Sequence, residues 1–195
     1  MSDARARGRR HFLLIAAMFL VPVIVVFFLY YGGVWSPSGS SAKGQLITPA
    51  RPLATAGLRH PDGSAAGSEL FLGKWTLLYI GDGACDADCR TALTYTRQTR
   101  LAAGQEMDRV QRVLLATAHC CDQAYLRDQQ QGLVALDASS PDAGKLLEQF
   151  PGERRNTVYV VDPHGNLMMR HDASKVINKD LLTDLKKLLK LSHIG

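Results

Sequence analysis

From residue 12 to residue 31 the chain reads FLLIAAMFLVPVIVVFFLYY, a run without a single charged side chain. At about 1.5 Å per residue, a helix of this length matches a hydrocarbon layer of roughly 30 Å. Pro22 interrupts it, which a membrane helix tolerates. Tyr30, Tyr31 and Trp35 fall where an interfacial aromatic belt belongs. A cleaved signal peptide has a shorter apolar core, about 7 to 15 residues, and a small-residue cleavage site, and no convincing A-x-A site follows this run. The pattern therefore predicts a transmembrane helix over residues 12–31. Residues 1–11 form a tail before it and residues 32–44 a tether after it. The stretch WSPSGSSAKG (35–44) is rich in Ser, Gly and Pro, as a flexible linker is.

Beyond residue 45 the apolar runs shorten and alternate with polar stretches. TLLYI (76–80), between Gly73 and Gly81, predicts a buried strand. A polar helical stretch covers about 86–105, and VQRVLLATA (110–118) is a second strand. Residues 125–130 read as a short helix and 133–136 as another strand. Ser139 and Ser140 before Pro141 and DAGKLLEQF carry the signature of an N-cap, a proline in the first turn and a helix. TVYVV (157–161) is a strand, Asp162-Pro163-His164-Gly165-Asn166 is turn chemistry, and 167–170 returns as a hairpin. Leu181, Leu182, Leu185, Leu188 and Leu189 recur at helical spacing, with Lys186, Lys187 and Lys190 mostly outside. This order predicts an α/β fold over residues 45–195, with a parallel portion and an antiparallel edge.

Charge adds orientation. Of the net +5, the first eleven residues hold +3, from Arg5, Arg7, Arg9 and Arg10 against Asp3. The positive-inside rule keeps that end cytoplasmic, in the inner membrane, and sends the domain to the periplasm. No basic stripe interleaves with aromatics, so the pattern gives no nucleic-acid footprint. No general acid–base constellation is visible, and whether the chain turns over a substrate as an enzyme stays open. The oligomeric state is likewise not legible.

The chemistry lies in the cysteines. Parallel strands place their C-terminal ends on one edge, where sites in open α/β sheets form. Cys85 and Cys89 follow the first strand. His119, Cys120 and Cys121 follow the second. On a helix, residues four apart share a face, so Cys85 and Cys89 are expected to close a disulfide or grip one soft metal ion. A helix N-terminus lowers a thiol pKa, whereas Asp86 and Asp88 oppose a thiolate. A purely structural disulfide is the plainer alternative in an oxidising compartment. The pair Cys120 and Cys121 reads either as two half-buried small residues or as chemistry beside the first pair. His164 reads as turn chemistry, His60 and His193 as surface, and His11 as the membrane boundary. His171 follows the hairpin strand. Met168 and Met169 read as core, since successive strand residues face opposite ways.

GKWTLLYIGDGACDADC and NTVYVVDPHGNLM resemble the Sco/SenC family of cytochrome oxidase copper-assembly proteins. The resemblance spans roughly residue 73 to the C-terminus and implies a thioredoxin-like, Sco/SenC-type domain behind one transmembrane helix. It implies copper as cofactor or cargo, Cys85 and Cys89 as its paired thiols, and a respiratory oxidase subunit or another assembly factor as partner. The expected function is a membrane-anchored assembly factor that handles copper or thiol–disulfide exchange at an oxidase copper site. The alternative is a non-catalytic thioredoxin-like module with a structural Cys85–Cys89 bond. The family's third copper ligand is a histidine just before the strand that ends in Asp-Pro, and ERRNTVYVVDP holds none. Arg90 replaces the proline that usually follows the second cysteine. His119, with Cys120 and Cys121 as auxiliary thiols, is then the expected substitute donor, provided the two loops converge.

Overall fold

The computed structural model describes residues 2–32, 41–174 and 179–192. Most of the expected tether, with Trp35, and His193 lie outside these residues. The chain forms two compact units, Met1–Ser41 and Ala42–Gly195. The first contains one helix, α1 (Ser2–Tyr31), with Pro22 inside it. Its segment Arg9–Tyr31 is long and apolar enough to cross a membrane.

The second unit is a six-stranded sheet in the order β1-β6-β5-β2-β3-β4. Its strands are β1 (Gln45–Pro52), β2 (Trp75–Gly81), β3 (Val110–Ala116), β4 (Leu133–Asp137), β5 (Thr157–Val161) and β6 (Asn166–Asp172). Strands β2, β3 and β4 run parallel, while β5, β6 and β1 are antiparallel to their neighbours. Helices α2 (Ala87–Ala102), α3 (Gln123–Gln129), α4 (Pro141–Leu147) and α5 (Asp180–Leu191) supply the outer layers, with a 3-10 turn at Gly104–Arg109. Each expected strand and helix of the domain is present.

Central β2 is buried from Trp75 through Ile80, as a parallel strand covered on both faces must be. Its side chains alternate. Trp75, Leu77 and Tyr79 join one core with Leu93 of α2 and Leu181 and Leu185 of α5. Leu78 and Ile80 join the other, with Leu146 of α4, Phe71 and Tyr159. Burying each such aliphatic side chain contributes about 1.5–3 kcal/mol, so the two faces hold the central strand firmly.

Helix α4 begins as its sequence dictates: the Ser140 hydroxyl accepts from Ala143 N at 3.1 Å, and Pro141 occupies the first turn. Strand β1 was not foreseen. It is exposed along almost its whole length and contains Pro49 and Pro52, so it lacks the alternation that marks a half-buried strand, and prolines belong at sheet edges. The second unit starts at Ala42, just before β1. Asp184 of α5, buried at 2% exposure, accepts the backbone N–H groups of Lys43 at 2.7 Å and Gly44 at 2.8 Å.

Candidate redox site

Strands β2 and β3 end in register, Gly81 beside Ala116. The backbone ladder continues past them. Thr117 N donates to Gly81 O at 2.8 Å, Gly83 N to Ala118 O at 2.8 Å, and Asp122 N to Gly83 O at 3.0 Å. The loop carrying Cys85 is therefore zipped to the loop carrying His119, Cys120 and Cys121, and the expected convergence of the two loops is present.

Cys85 and Cys89 form a disulfide with Cα atoms 5.1 Å apart. The reason differs from the helical face expected. Cys85 lies outside α2 with φ +52°. Asp86 is the N-cap, accepting from Cys89 N at 2.9 Å. The bond thus staples the residue before the cap to the first helical turn. Both cysteines are only 2% exposed.

Cys120 and Cys121 are bonded to each other and only half-buried. The sequence leaves them open as small half-buried residues, a third metal donor or a resolving thiol for the first pair, because nothing in the spacing of four cysteines selects one of three pairings. His119 has φ +46° and a side chain 75% exposed, with Nδ1 2.9 Å from Asp82 Oδ2. The Ala84 N–H, and then His119, hold the Asp82 carboxyl below the usual carboxylate range. Among the described residues, no group of three or more His, Cys, Asp and Glu is arranged to hold a metal ion.

Two arginines organise the edge. Arg90 Nε donates to Cys85 O at 3.0 Å, its Nη2 lies 3.7 Å from Asp122 Oδ2, and the guanidinium sits 4.6 Å above the Tyr125 ring. It thereby joins the two cysteine loops. Arg155, just before β5, donates from Nε to Asp88 Oδ2 at 2.7 Å and lies 3.9 Å from Asp86 Oδ2. These carboxylates raise its pKa. A cleft of about 350 Å³ beside Cys89 is lined by Tyr79, Asp82, Asp86, Arg154 and Arg155, among others. Burial, and then Asp86 and Asp88, push the Tyr79 phenol up to about 12.

The segment where the resemblance places a histidine thus puts two arginines, Arg154 and Arg155, in the cleft's lining. A guanidinium has no lone pair to give, and the two sulfurs are bonded to each other. The residues do not fit a three-donor copper site. Of the other candidates, His171 lies in the core at 4% exposure, Nε2 3.0 Å from Met169 Sδ and 3.5 Å from Asp184 Oδ2. Burial holds its imidazole below the ordinary 6.5, against the opposing pull of Asp184. Met169 is buried and Met168 partly so. His164 is exposed in the β5–β6 turn, and His60 is half-buried rather than on the surface.

The fold is shared with solved Sco proteins. Apo Sco1 of Thermus thermophilus aligns at 18% identity and TM-score 0.59, covering 79% of this chain and 98% of that one. Yeast Sco1 with copper bound aligns at 15% identity and TM-score 0.57, covering 79% and 96%. Bradyrhizobium japonicum ScoI with copper bound aligns at 18% identity and TM-score 0.52, covering 74% and 98%. At these identities the likeness is one of fold. No curated protein sequence matches the chain. The family model described as a transmembrane-like, thioredoxin-like C-terminal domain matches residues 75–192, which is the sheet from β2 onward with all of its cysteines, and to that family the chain belongs.

Proposed function

We propose that this chain is a membrane-anchored assembly factor that performs thiol–disulfide exchange at Cys85–Cys89 during maturation of a respiratory oxidase copper site. The supporting observation is the position of that disulfide. It opens a sixteen-residue helix at the C-terminal edge of β2 and β3, in a thioredoxin-like frame common to the Sco proteins. An incoming client thiolate attacks one sulfur, the Cys85–Cys89 bond breaks, and the other sulfur departs as a thiolate. The N–H groups at the start of α2 stabilise that thiolate. Asp86 and Asp88 work against it, and Arg155 offsets them by pairing with both.

Copper carriage is the second reading, favoured by the copper-bound relatives in fold. In this chain the reduced pair would offer two thiolates with arginines where a third donor is needed. Thiol exchange is therefore the better-supported role. The arginine-rich segment before α1's apolar stretch argues for a cytoplasmic N-terminus and a periplasmic domain. A reporter enzyme active only in the periplasm, fused after residue 195, tests that orientation.

A redox titration of the full chain in detergent, with alkylation read peptide by peptide, tests the main reading. The Cys85–Cys89 potential is expected above about −300 mV, since structural disulfides lie below that value. A lower potential would leave only a structural bond and remove the proposal.

A further inference from the structure

The two disulfides differ in access. Cys85 and Cys89 are each 2% exposed, so a protein partner reaches their sulfurs less readily than those of the adjoining pair. Cys120 and Cys121 are half-buried at the adjoining loop. Cys121 packs against the core cluster that contains Cys85 and Cys89, whereas Cys120 belongs to neither cluster. The adjacent pair therefore has an inner and an outer member.

The loops touch at Gly83. A Cβ there would meet the Cys120 Cα at 2.7 Å and His119 O at 2.6 Å, so only glycine admits this approach. Two residues span at most about 7 Å, which keeps Cys85 close to that contact. Arg90 adds a second tie, through Cys85 O and Asp122.

We infer that Cys120–Cys121 is the solvent-facing port of the domain, passing electrons between an external dithiol protein and the buried Cys85–Cys89 pair. This rests on the exchange role proposed for Cys85–Cys89. In the reducing direction a donor thiolate attacks Cys120 Sγ, and Cys121 leaves as a thiolate. The donor's second thiolate then attacks the donor sulfur of the mixed disulfide, so the donor becomes a disulfide and Cys120 is released. Cys121 attacks one sulfur of Cys85–Cys89 and the other leaves. Cys120 finally attacks Cys121, which re-forms their bond and frees the second buried thiolate. The net change is one donor dithiol oxidised and Cys85–Cys89 reduced, with two electrons and two protons transferred.

The test uses the full chain in detergent micelles, with reduced thioredoxin as the protein donor and a small trialkylphosphine as the control. Reactions are acid-quenched, alkylated and read by peptide mass. Label is expected on Cys120 and Cys121 first, then on Cys85 and Cys89. With Cys120→Ser and Cys121→Ser together, thioredoxin-driven reduction of Cys85–Cys89 should fall at least about ten-fold while the phosphine rate holds. An unchanged thioredoxin rate in that variant overturns the port but leaves exchange at Cys85–Cys89 standing. A buried pair that resists both reagents in the folded wild-type protein overturns both. Should the double variant fail to fold, Cys120→Ser alone decides the matter: Cys121 should then appear cross-linked to Cys85 or Cys89, and a folded protein without that cross-link refutes the relay.

Discussion

Consider reducing Cys85–Cys89 in a protein whose other two cysteines have been changed to serine. The sequence separation of 4 closes a loop of five residues. Loop-closure entropy of about 2.1 + 1.5R ln 5 cal/mol/K then amounts to about 2 kcal/mol at 25 °C. The site would not fall apart on losing that bond. The Asp86 cap on Cys89 N and the Arg90 bond to Cys85 O hold the same loop, and a cap alone is worth about 0.5–2 kcal/mol. Domains are typically stable by about 5–15 kcal/mol, so the reduced domain is expected to remain folded with a Tm lower by about 4–8 °C. Urea unfolding with and without reductant measures this, using buried Trp75 as the fluorophore after Trp35→Phe. A loss above about 5 kcal/mol, or a reduced state lacking fixed tertiary packing, would refute the reasoning and make the bond a scaffold. A loss near zero would refute the entropic account from the other side.

Four further outcomes are expected. Replacing Cys85 or Cys89 singly by serine should abolish exchange in an insulin-type reduction assay as fully as replacing both, and additive partial losses would show independent sites. Neutral His171 supports the fold above its unfolded value of 6.5. Below that the unfolded chain takes up a proton that the folded one resists, so stability should fall from about pH 6.5 downward. His171→Gln should flatten this slope in urea midpoints, and an unchanged slope would assign it elsewhere. Arg112 is 1% exposed, held near 10 by burial, and donates to Gln130 Oε1 at 2.8 Å and Gln131 O at 2.7 Å. Gln130→Leu should cost about 1–3 kcal/mol by chemical denaturation, and a neutral result would mean that another acceptor takes over. A fragment starting at Ala42 should be soluble and give a cooperative unfolding transition, and aggregation would tie the apolar helix to the fold.

The parts of this fold that were legible in sequence share a cause. TLLYI and TVYVV are apolar on both faces because both faces are covered, and Ser140-Pro141 announces a helix by local hydrogen bonding alone. The convergence of two cysteine loops followed from one topological premise, that β2 and β3 are parallel neighbours. Partnerships between distant residues were not legible. Arg112 sits in a mostly apolar strand and finds its acceptors eighteen and nineteen residues on. Arg155 reaches Asp88 across 67 residues. The spacing of Cys85 and Cys89 suggested a shared helical face, but the backbone turns left-handed at Cys85, a choice made by the Asp86 cap and the Asp82 turn rather than by periodicity.

The carboxylate of Asp184 has a mechanical consequence. It grips two successive backbone N–H groups immediately before β1, and β1 is an exposed edge strand whose first residue, Gln45, pairs with Arg170. Tension arriving along the chain from the N-terminal side would otherwise peel β1 from β6 one rung at a time, starting at that end. With the clamp in place the load passes first into α5 and the core beneath it, so Asp184 acts as a strain relief that shields the sheet from whatever pulls on its leash.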